Sequence, residues 1–466
     1  MNLEENRQPM TDLIVLLPGI LGSTLARNGK EIWGTSIGGI ARNLWSLGQN
    51  YRALQLPIDI GDEDPGDGVV ALNLMPRATM IPGFLKIDGY TALVEFLERN
   101  FAVERSQHGR AGNLIEFSYD WRLSNRLNAG RLAQIAIPAL ERWRRQTGNQ
   151  EAKIILIAHS MGGLISRWFL ECLGGKAITR RLITLGTPYR GSINAVTTLC
   201  NGLSPGLGRL RLVLDDLVRS FPSLYQLLPT YDCIEADNDR QANLRNVALP
   251  NVRARDIADA LAFHSQISEK AGPKGDYAIH ALKGICQPTA QTFSIVRGRA
   301  EAINSYGGVD YYGDGTVPRI SSHPQEWSDD STAGFFGLQH ASLAADPDIH
   351  RQLFGILTTE RLRRFMGGPN LGLQMPDLIS SGERLEIFVR SDDNDSTLAL
   401  EATARGEDGF ALPPIPLRPI GKGGYRGEIE MLAPQAYAVQ ISSCGPTSVN
   451  GVTGFTLVWN DAALNM

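Results

Sequence analysis

Residues 154–164, IILIAHSMGGL, carry an apolar run into a hydroxyl flanked by small residues. Ile154 to Ile157 read as a buried strand and Leu164 to Leu173 as a helix, so the turn between them is sharp and Ser160 sits at its tip. A serine held there projects from the sheet to where a reactant can meet it. The surrounding A-H-S-M-G departs from G-x-S-x-G at one place, where Ala158 replaces the first glycine. Alanine is small enough for strand and helix to stay close. A serine hydroxyl is a weak nucleophile until a base takes its proton, so a histidine and a carboxylate must be sought elsewhere in the chain.

Seven histidines are available: His108, His159, His264, His280, His323, His340 and His350. In α/β-hydrolases the chain order is serine, acid, histidine. The segment YYGDGTVP supplies Asp314 between two glycines directly after a strand-like run, although Gly-Asp-Gly alone is also a plain turn. Downstream, His340 lies in a loop ahead of a helix and is the preferred base. His323, followed by Pro324, is close to Asp314 in the chain and stands second. His350 falls inside the helix, where solvent is expected to reach it. His159 adjoins Ser160 in the elbow, points away from it and reads as packing. For the developing oxyanion, the backbone N–H of Met161 follows the serine. That of Ile20, in PGILG, follows a bare Gly19, unless PGILG is only a tight turn. A general base contributes roughly 10²–10⁴-fold and one oxyanion donor roughly 10²–10³-fold, so both halves are needed.

The elements that must position these residues alternate between strand and helix. Leu13 to Leu17 form an apolar strand closed by Pro18-Gly19, and NLIEFSYDWR adds another strand and turn. GYTALVEFLERN has helical spacing. In RLAQIAIPALERWRRQTGN, Leu132, Ile135, Ala136, Ala139, Leu140 and Trp143 share a helical face that ends near Gly148, with a kink expected at Pro138. RRLITLGTPYRGS is a further strand and turn. Alternation of this kind predicts an α/β protein with a parallel sheet, and Gly19, Ser160 and Gly186 then share the carboxyl rim where ligands bind. Trp33 to Gly83 has no regular pattern and reads as a lid or binding loop. Residues 199–275 read as a cap. After about residue 370, short strands separated by Gly, Pro, Asp and Asn predict a small all-β, sandwich-like domain over 370–466, appended to a first domain over 1–365.

Composition excludes several classes of function. A chain of 466 residues with 43% apolar and 20% charged residues has the make-up of an ordinary globular protein. Its 45 basic and 49 acidic side chains leave a net charge of −4, so no global field points to nucleic acid. ERWRRQ and ERLRRF read as solvated helix faces. The N-terminal segment lacks a signal pattern, and no apolar run approaches the roughly 18–20 residues that span a bilayer. Five scattered cysteines without metal-ligand spacing favour free thiols, a reducing compartment and no structural zinc. SDDND, 391–395, lacks the glycine and distal glutamate of a calcium loop and reads as a β-turn. No cofactor or metal is expected, and the location is expected to be cytoplasmic, peripheral at membranes.

Taken in order, VLLPGILGS, WG, NLWSL, YDWR, AHSMGGL, LITLGTPYRGS, FPSLYQLLP, GDGTVP and QHASL resemble the lecithin:cholesterol acyltransferase family over residues 12 to about 360. That family includes lysosomal phospholipase and phospholipid:diacylglycerol acyltransferases. The resemblance implies an α/β-hydrolase fold with a mobile lid at 33–83 and a cap at 199–275. It makes Ser160 the nucleophile, Asp314 the acid and His340 the base, with Ile20 and Met161 at the oxyanion positions. Secreted members close the lid with a disulfide, but residues 33–83 hold no cysteine, so a freer lid is expected. The β-rich C-terminus has no counterpart in the family.

These readings lead to a serine acyl-ester hydrolase acting on lipid at a membrane surface, of phospholipase A type. A lipid acyltransferase would use the same acyl-enzyme. An esterase for soluble esters would make Trp33, Trp45 and LWSL core and not lipid-facing. A pseudoenzyme working through its C-terminal β domain is the non-enzymatic alternative. That domain is also a candidate site for a regulatory protein or ligand.

Overall fold

The computed structural model describes residues 7–34, 53–76, 79–81, 85–87, 89–106, 112–202, 210–235, 241–271, 277–326, 333–358, 369–392, 398–430, 432–445 and 449–459. Trp45 and LWSL, His108 and residues 393–395 of SDDND lie outside them.

Six strands form one sheet: β1 (Leu13–Leu17), β2 (Leu114–Glu116), β3 (Ile154–His159), β4 (Thr179–Leu185), β5 (Ala278–Gly284) and β6 (Gly334–Phe336), in the order β6-β5-β4-β3-β1-β2. Every neighbouring pair is parallel. All residues of β1 and β3 are buried, as expected of central parallel strands covered on both sides, and that burial explains their unbroken apolar runs. The expected strand at 154–157 continues to His159, and the following helix starts at Met161, directly after Ser160.

The helices are α1 (Thr91–Asn100), α2 (Asn125–Thr147), α3 (Met161–Cys172), α4 (Ile193–Asn201), α5 (Leu210–Arg219), α6 (Ala254–Lys270) and α7 (Pro347–Thr358), with one short turn at Pro222–Tyr225. In α2 the hydroxyl of Ser124 caps the start, and Gly148 in the left-handed region (φ 71°) ends it. The helix runs unbroken through Pro138. Its buried face holds Leu132, Ala136, Ala139 and Leu140 but not Ile135, which is 46% exposed.

The segment Trp33–Gly83 is less irregular than its sequence suggests. Val69–Leu74 pairs antiparallel with Ser23–Arg27, which also pairs with Lys30–Trp33, and Thr79–Ile81 forms a hairpin with Leu85–Ile87. Apolar side chains stand on both faces of Val69–Leu74, with Val70 and Leu72 about half exposed, so the two-residue period is hidden. Trp33 is core: its indole N–H donates to the Leu21 carbonyl, and its ring meets Trp121 edge-on at 5.4 Å. Residues 59–67 carry a series of ionic contacts. Buried Arg122 binds Asp67 and Asp120, Arg126 binds Asp62 and Asp259, Arg131 binds Asp64, and Arg253 and Arg255 bind Asp59.

From Leu371 to Trp459 every described element is a strand. These are β7 (Leu371–Gln374), β8 (Leu378–Ser380), β9 (Leu385–Ser391), β10 (Leu400–Gly406), β11 (Ile415–Pro416), β12 (Arg418–Gly421), β13 (Gly424–Ile429), β14 (Ala436–Ser443) and β15 (Val452–Trp459). They make two sheets, β7-β9-β13-β12 and β8-β15-β14-β10-β11, whose apolar side chains share one core.

Candidate active site

Ser160 stands at the carboxyl end of β3 with φ 51° and ψ −124°, a backbone conformation rare for any residue except glycine. The surrounding sequence makes this strained turn possible. A Cβ at Gly162 would lie 2.5 Å from the Pro18 carbonyl oxygen, and one at Gly163 would lie 2.0 Å from Oγ1 of Thr187. Only glycine lets the start of α3 pass so near β1 and the turn after β4. Thr187 donates its hydroxyl to the Ser160 carbonyl at 2.9 Å, and the Ser160 N–H donates to the Leu185 carbonyl at 2.9 Å. Strain in this elbow is therefore held from two sides.

Asp314 and His340 meet at Ser160 from loops beyond β5 and β6. The imidazole of His340 joins them, with Nδ1 2.7 Å from Oδ2 of Asp314 and Nε2 2.9 Å from Oγ of Ser160. The three residues are 2%, 3% and 4% exposed for Asp314, His340 and Ser160, so these contacts are almost closed to water. The other carboxylate oxygen of Asp314 accepts from the backbone N–H groups of Thr316 (2.9 Å) and Val317 (2.6 Å). Each carboxylate oxygen thus has its own donors, and only one faces the histidine. The backbone N–H of His340 donates to the Asp314 carbonyl at 2.8 Å, locking the two loops together. Gly186, at φ 60°, completes the fit: a Cβ there would lie 2.9 Å from Oδ2 of Asp314 and 3.0 Å from Nδ1 of His340.

The other histidines stay out of this chain. His323 is not brought to Ser160. His350 lies in α7 as expected, but it is half-buried and not solvated: its ring stacks on Phe96 at 4.7 Å, and burial holds its pKa below the usual value. His159 is buried beside His340, and burial pulls its pKa down to about 3, so it is neutral.

The loop that follows β1 is held by two tyrosines that the sequence did not single out. Tyr119, in YDWR, donates its hydroxyl to the Pro18 carbonyl at 2.8 Å. Tyr90 accepts from the Gly19 N–H at 2.8 Å, and its own hydroxyl lies 2.8 Å from Nδ1 of His159. Nε2 of His159 in turn lies 3.1 Å from the His340 carbonyl. A neutral His159 that accepts from Tyr90 and donates to His340 satisfies every partner, so one relay joins the Gly19 loop to the histidine loop. Ile20 and Met161 are both buried beside Ser160 in chain or space, and a Cβ at Gly19 would lie 2.9 Å from Cβ of Ser160. The loop that carries Ile20 thus passes close against Ser160.

A cavity of about 270 Å³ lies beside Asp314 and His340, lined also by Asn194, Gln287, Gln339, Leu373, Met375 and Asp377. Among the described residues no group of His, Cys, Asp and Glu is arranged to hold a metal ion, and no helix is long and apolar enough to cross a membrane.

A parallel sheet with a serine on a strained strand-to-helix elbow, a histidine from beyond a later strand and a carboxylate behind it is the layout of an α/β-hydrolase. Residues 85–267 match the family model for lecithin:cholesterol acyltransferase. The chain is 25% identical over 256 residues to a phospholipase A(1), LCAT3, of Arabidopsis thaliana, covering 50% of this chain and 55% of that protein. It is 27% identical over 250 residues to lecithin-cholesterol acyltransferase-like 4 of the same plant, covering 49% and 44%. Over residues 85–267 the chain is thus similar to the lecithin:cholesterol acyltransferase family, in line with the resemblance of its motifs. It spans about half the length of these relatives. The family match contains Ser160 and Met161 and ends before Asp314 and His340. Among solved structures, the mature form of a Bacillus licheniformis lipase, BlEst2, aligns over 76% of this chain and 95% of its own, at 14% identity and a TM-score of 0.35.

Proposed function

We propose that this protein is a serine acyl-ester hydrolase of lipids, of phospholipase A type, working through an acyl-enzyme on Ser160. The observation that carries the reading is the bridging imidazole of His340, bonded to Ser160 on one nitrogen and Asp314 on the other. In this mechanism Ser160 Oγ attacks the ester carbonyl while Nε2 of His340 takes its proton, and Asp314 holds Nδ1–H and stabilises the imidazolium. The N–H groups of Ile20 and Met161 receive the oxyanion. His340 then returns the proton to the leaving alcohol, and water, activated by the same base, releases the acyl group.

The lipid substrate class is supported by the family and by the phospholipase among the relatives. An acyltransferase would share the acyl-enzyme and differ in admitting an alcohol in place of water; the acyltransferase-like relative favours keeping this second reading. The reading extends to action at a membrane surface from a cytoplasmic location, and to residues 370–466 as a sandwich-like domain distinct from the hydrolase domain.

Mass spectrometry of mixed phospholipid and acylglycerol vesicles, incubated with wild type or Ser160→Ala, tests the proposal. Free fatty acid with a lysolipid, from wild type alone, is expected. New acylated acceptors would replace hydrolysis by transfer. Unchanged lipids with both proteins would refute the lipid substrate.

A further inference from the structure

The loops that bring Asp314 and His340 to the serine are largely irregular, and their support comes from an unexpected direction. Gln287 follows β5 and is 1% exposed. Its main chain pairs with the Asp314 loop: the Gln287 N–H donates to the Gly313 carbonyl at 3.0 Å, and its carbonyl accepts from the Gly313 N–H at 3.2 Å. Its side-chain amide behaves like one more peptide group. Nε2 donates to the Leu371 carbonyl at 2.8 Å, and Oε1 accepts from the Leu373 N–H at 2.8 Å. Leu371 and Leu373 belong to β7, the first of the C-terminal strands. Thr289 closes the inner side, donating to the Gln287 carbonyl and accepting from the Gly315 N–H, both at 2.8 Å.

The histidine loop is held by the same strands. Gln339, immediately before His340, donates its amide to the Leu373 carbonyl at 3.2 Å. Ala341, immediately after it, packs in a small apolar cluster with Ala436 of β14 and with Phe455 and Leu457 of β15. The approach is close: a Cβ at Gly372 would lie 2.2 Å from the Cys286 carbonyl oxygen, next to Gln287. The acid and the base therefore each rest, one residue or one amide away, on the C-terminal sheets, whereas Ser160 rests on the parallel sheet.

We infer that the C-terminal strands act as a clamp on the acid and base loops, with Gln287 as the positioning residue that ties Asp314 to β7 and Gln339 as its counterpart for His340. The inference rests on the proposed serine mechanism and adds to it that the site is incomplete without the C-terminal strands. Gln287 touches no reacting atom. It acts through the backbone of Gly313 and Asp314, so its loss should slow the chemical step and leave substrate binding almost unchanged.

The test uses the full chain carrying Gln287→Ala, Gln287→Glu, Gln339→Ala or Ile441→Ala, each with its melting curve. Ile441→Ala removes packing from the same C-terminal core and leaves both glutamines in place. Two rates are read: labelling of Ser160 by a fluorophosphonate, and hydrolysis of a short-chain p-nitrophenyl ester. Gln287→Ala should label and turn over about 10-fold to 100-fold more slowly, with KM within about 2-fold, because small misplacements of reacting groups cost that much. Gln287→Glu keeps the acceptor and loses the donor, and should fall between Gln287→Ala and wild type. Gln339→Ala should be slowed less, and Ile441→Ala should melt lower while labelling at the wild-type rate.

A folded Gln287→Ala protein that labels at the wild-type rate would overturn the clamp. So would an equal slowing by Ile441→Ala at a matched drop in melting temperature. A wild type that labels at Ser160 yet releases no fatty acid from vesicles refutes the lipid substrate alone, and the clamp is still judged by the variants. An unlabelled wild type overturns both.

Discussion

Ser160 and His340 sit 2.9 Å apart, yet the molecule holds them by different means. Ser160 is positioned by its immediate surroundings: a buried strand before it, a helix after it, Gly162 and Gly163 where no side chain fits, and Thr187 on its carbonyl. His340 and Asp314 sit on loops whose regular elements, among the described residues, are two three-residue turns, Arg319–Ser321 and His340–Ser342. Their support is remote: His159 and Tyr90 on one side, and Gln287, Gln339 and strands beyond residue 370 on the other. A nucleophile elbow needs a strained backbone, which local packing can hold. An acid–base pair needs only the right meeting point, and that is fixed by whatever brings two distant loops together.

The comparison can be broken at several places, and the largest effect falls on the reacting atoms. Ser160→Ala should lower ester hydrolysis by about 10⁴-fold or more, with folding intact, because the acyl-enzyme cannot form. Asp314→Asn should cost about 10⁴-fold in kcat by favouring the wrong imidazole tautomer, while leaving Ser160 in place. Gly19→Ala tests the oxyanion loop. Its added Cβ would press on Cβ of Ser160 at 2.9 Å and on Nδ1 of His159 at 3.2 Å, and a loss of about 10²–10³-fold in kcat is expected. Labelling and turnover measured side by side separate these three.

Tyr90→Phe sharpens the contrast further. It removes the acceptor for the Gly19 N–H and the donor to His159, and should lower kcat by roughly 10-fold, with KM little changed, since it disturbs the relay and not the serine. The smallest effect at neutral pH concerns stability. Burial lowers the pKa of His159 to about 3 and those of His264 and His280 to about 4, against an ordinary 6.5. In the unfolded chain these groups take up protons below pH 6.5, whereas in the fold they resist. Stability is therefore full above about pH 6.5 and is lost as the pH falls toward 4 and then 3. Melting temperatures recorded from pH 7.5 to 4.5 should decline, and replacing His280, which lies far from the serine in the sheet, by Gln should flatten part of that decline.

The elbow was legible in the sequence because its causes are local: an apolar run, a serine and small residues within one stretch. The meeting of Asp314 and His340 was legible through chain order and glycine flanks, whereas the stacking of His350 on Phe96 was not. Tyr90 was not legible. It reads as an ordinary aromatic at the start of a helix, and its partner Gly19 lies 71 residues away. Gln287 gave no signal either, since a buried glutamine that completes another strand's hydrogen bonds looks like any polar loop residue. The ionic pinning of residues 59–67 was hidden in the same way. Its acidic run looks solvated until Arg122, Arg126, Arg131, Arg253 and Arg255 are brought to it. Val69–Leu74 was missed because apolar residues occupy both of its faces.

The most direct test of the central claim is peptide mapping after treatment with a phosphonate analogue of a phospholipid, comparing wild type with His340→Ala. The account predicts a phosphonyl adduct on Ser160 in wild type, and its near absence when the base is removed. An adduct on another residue, or equal labelling in the two proteins, would contradict it.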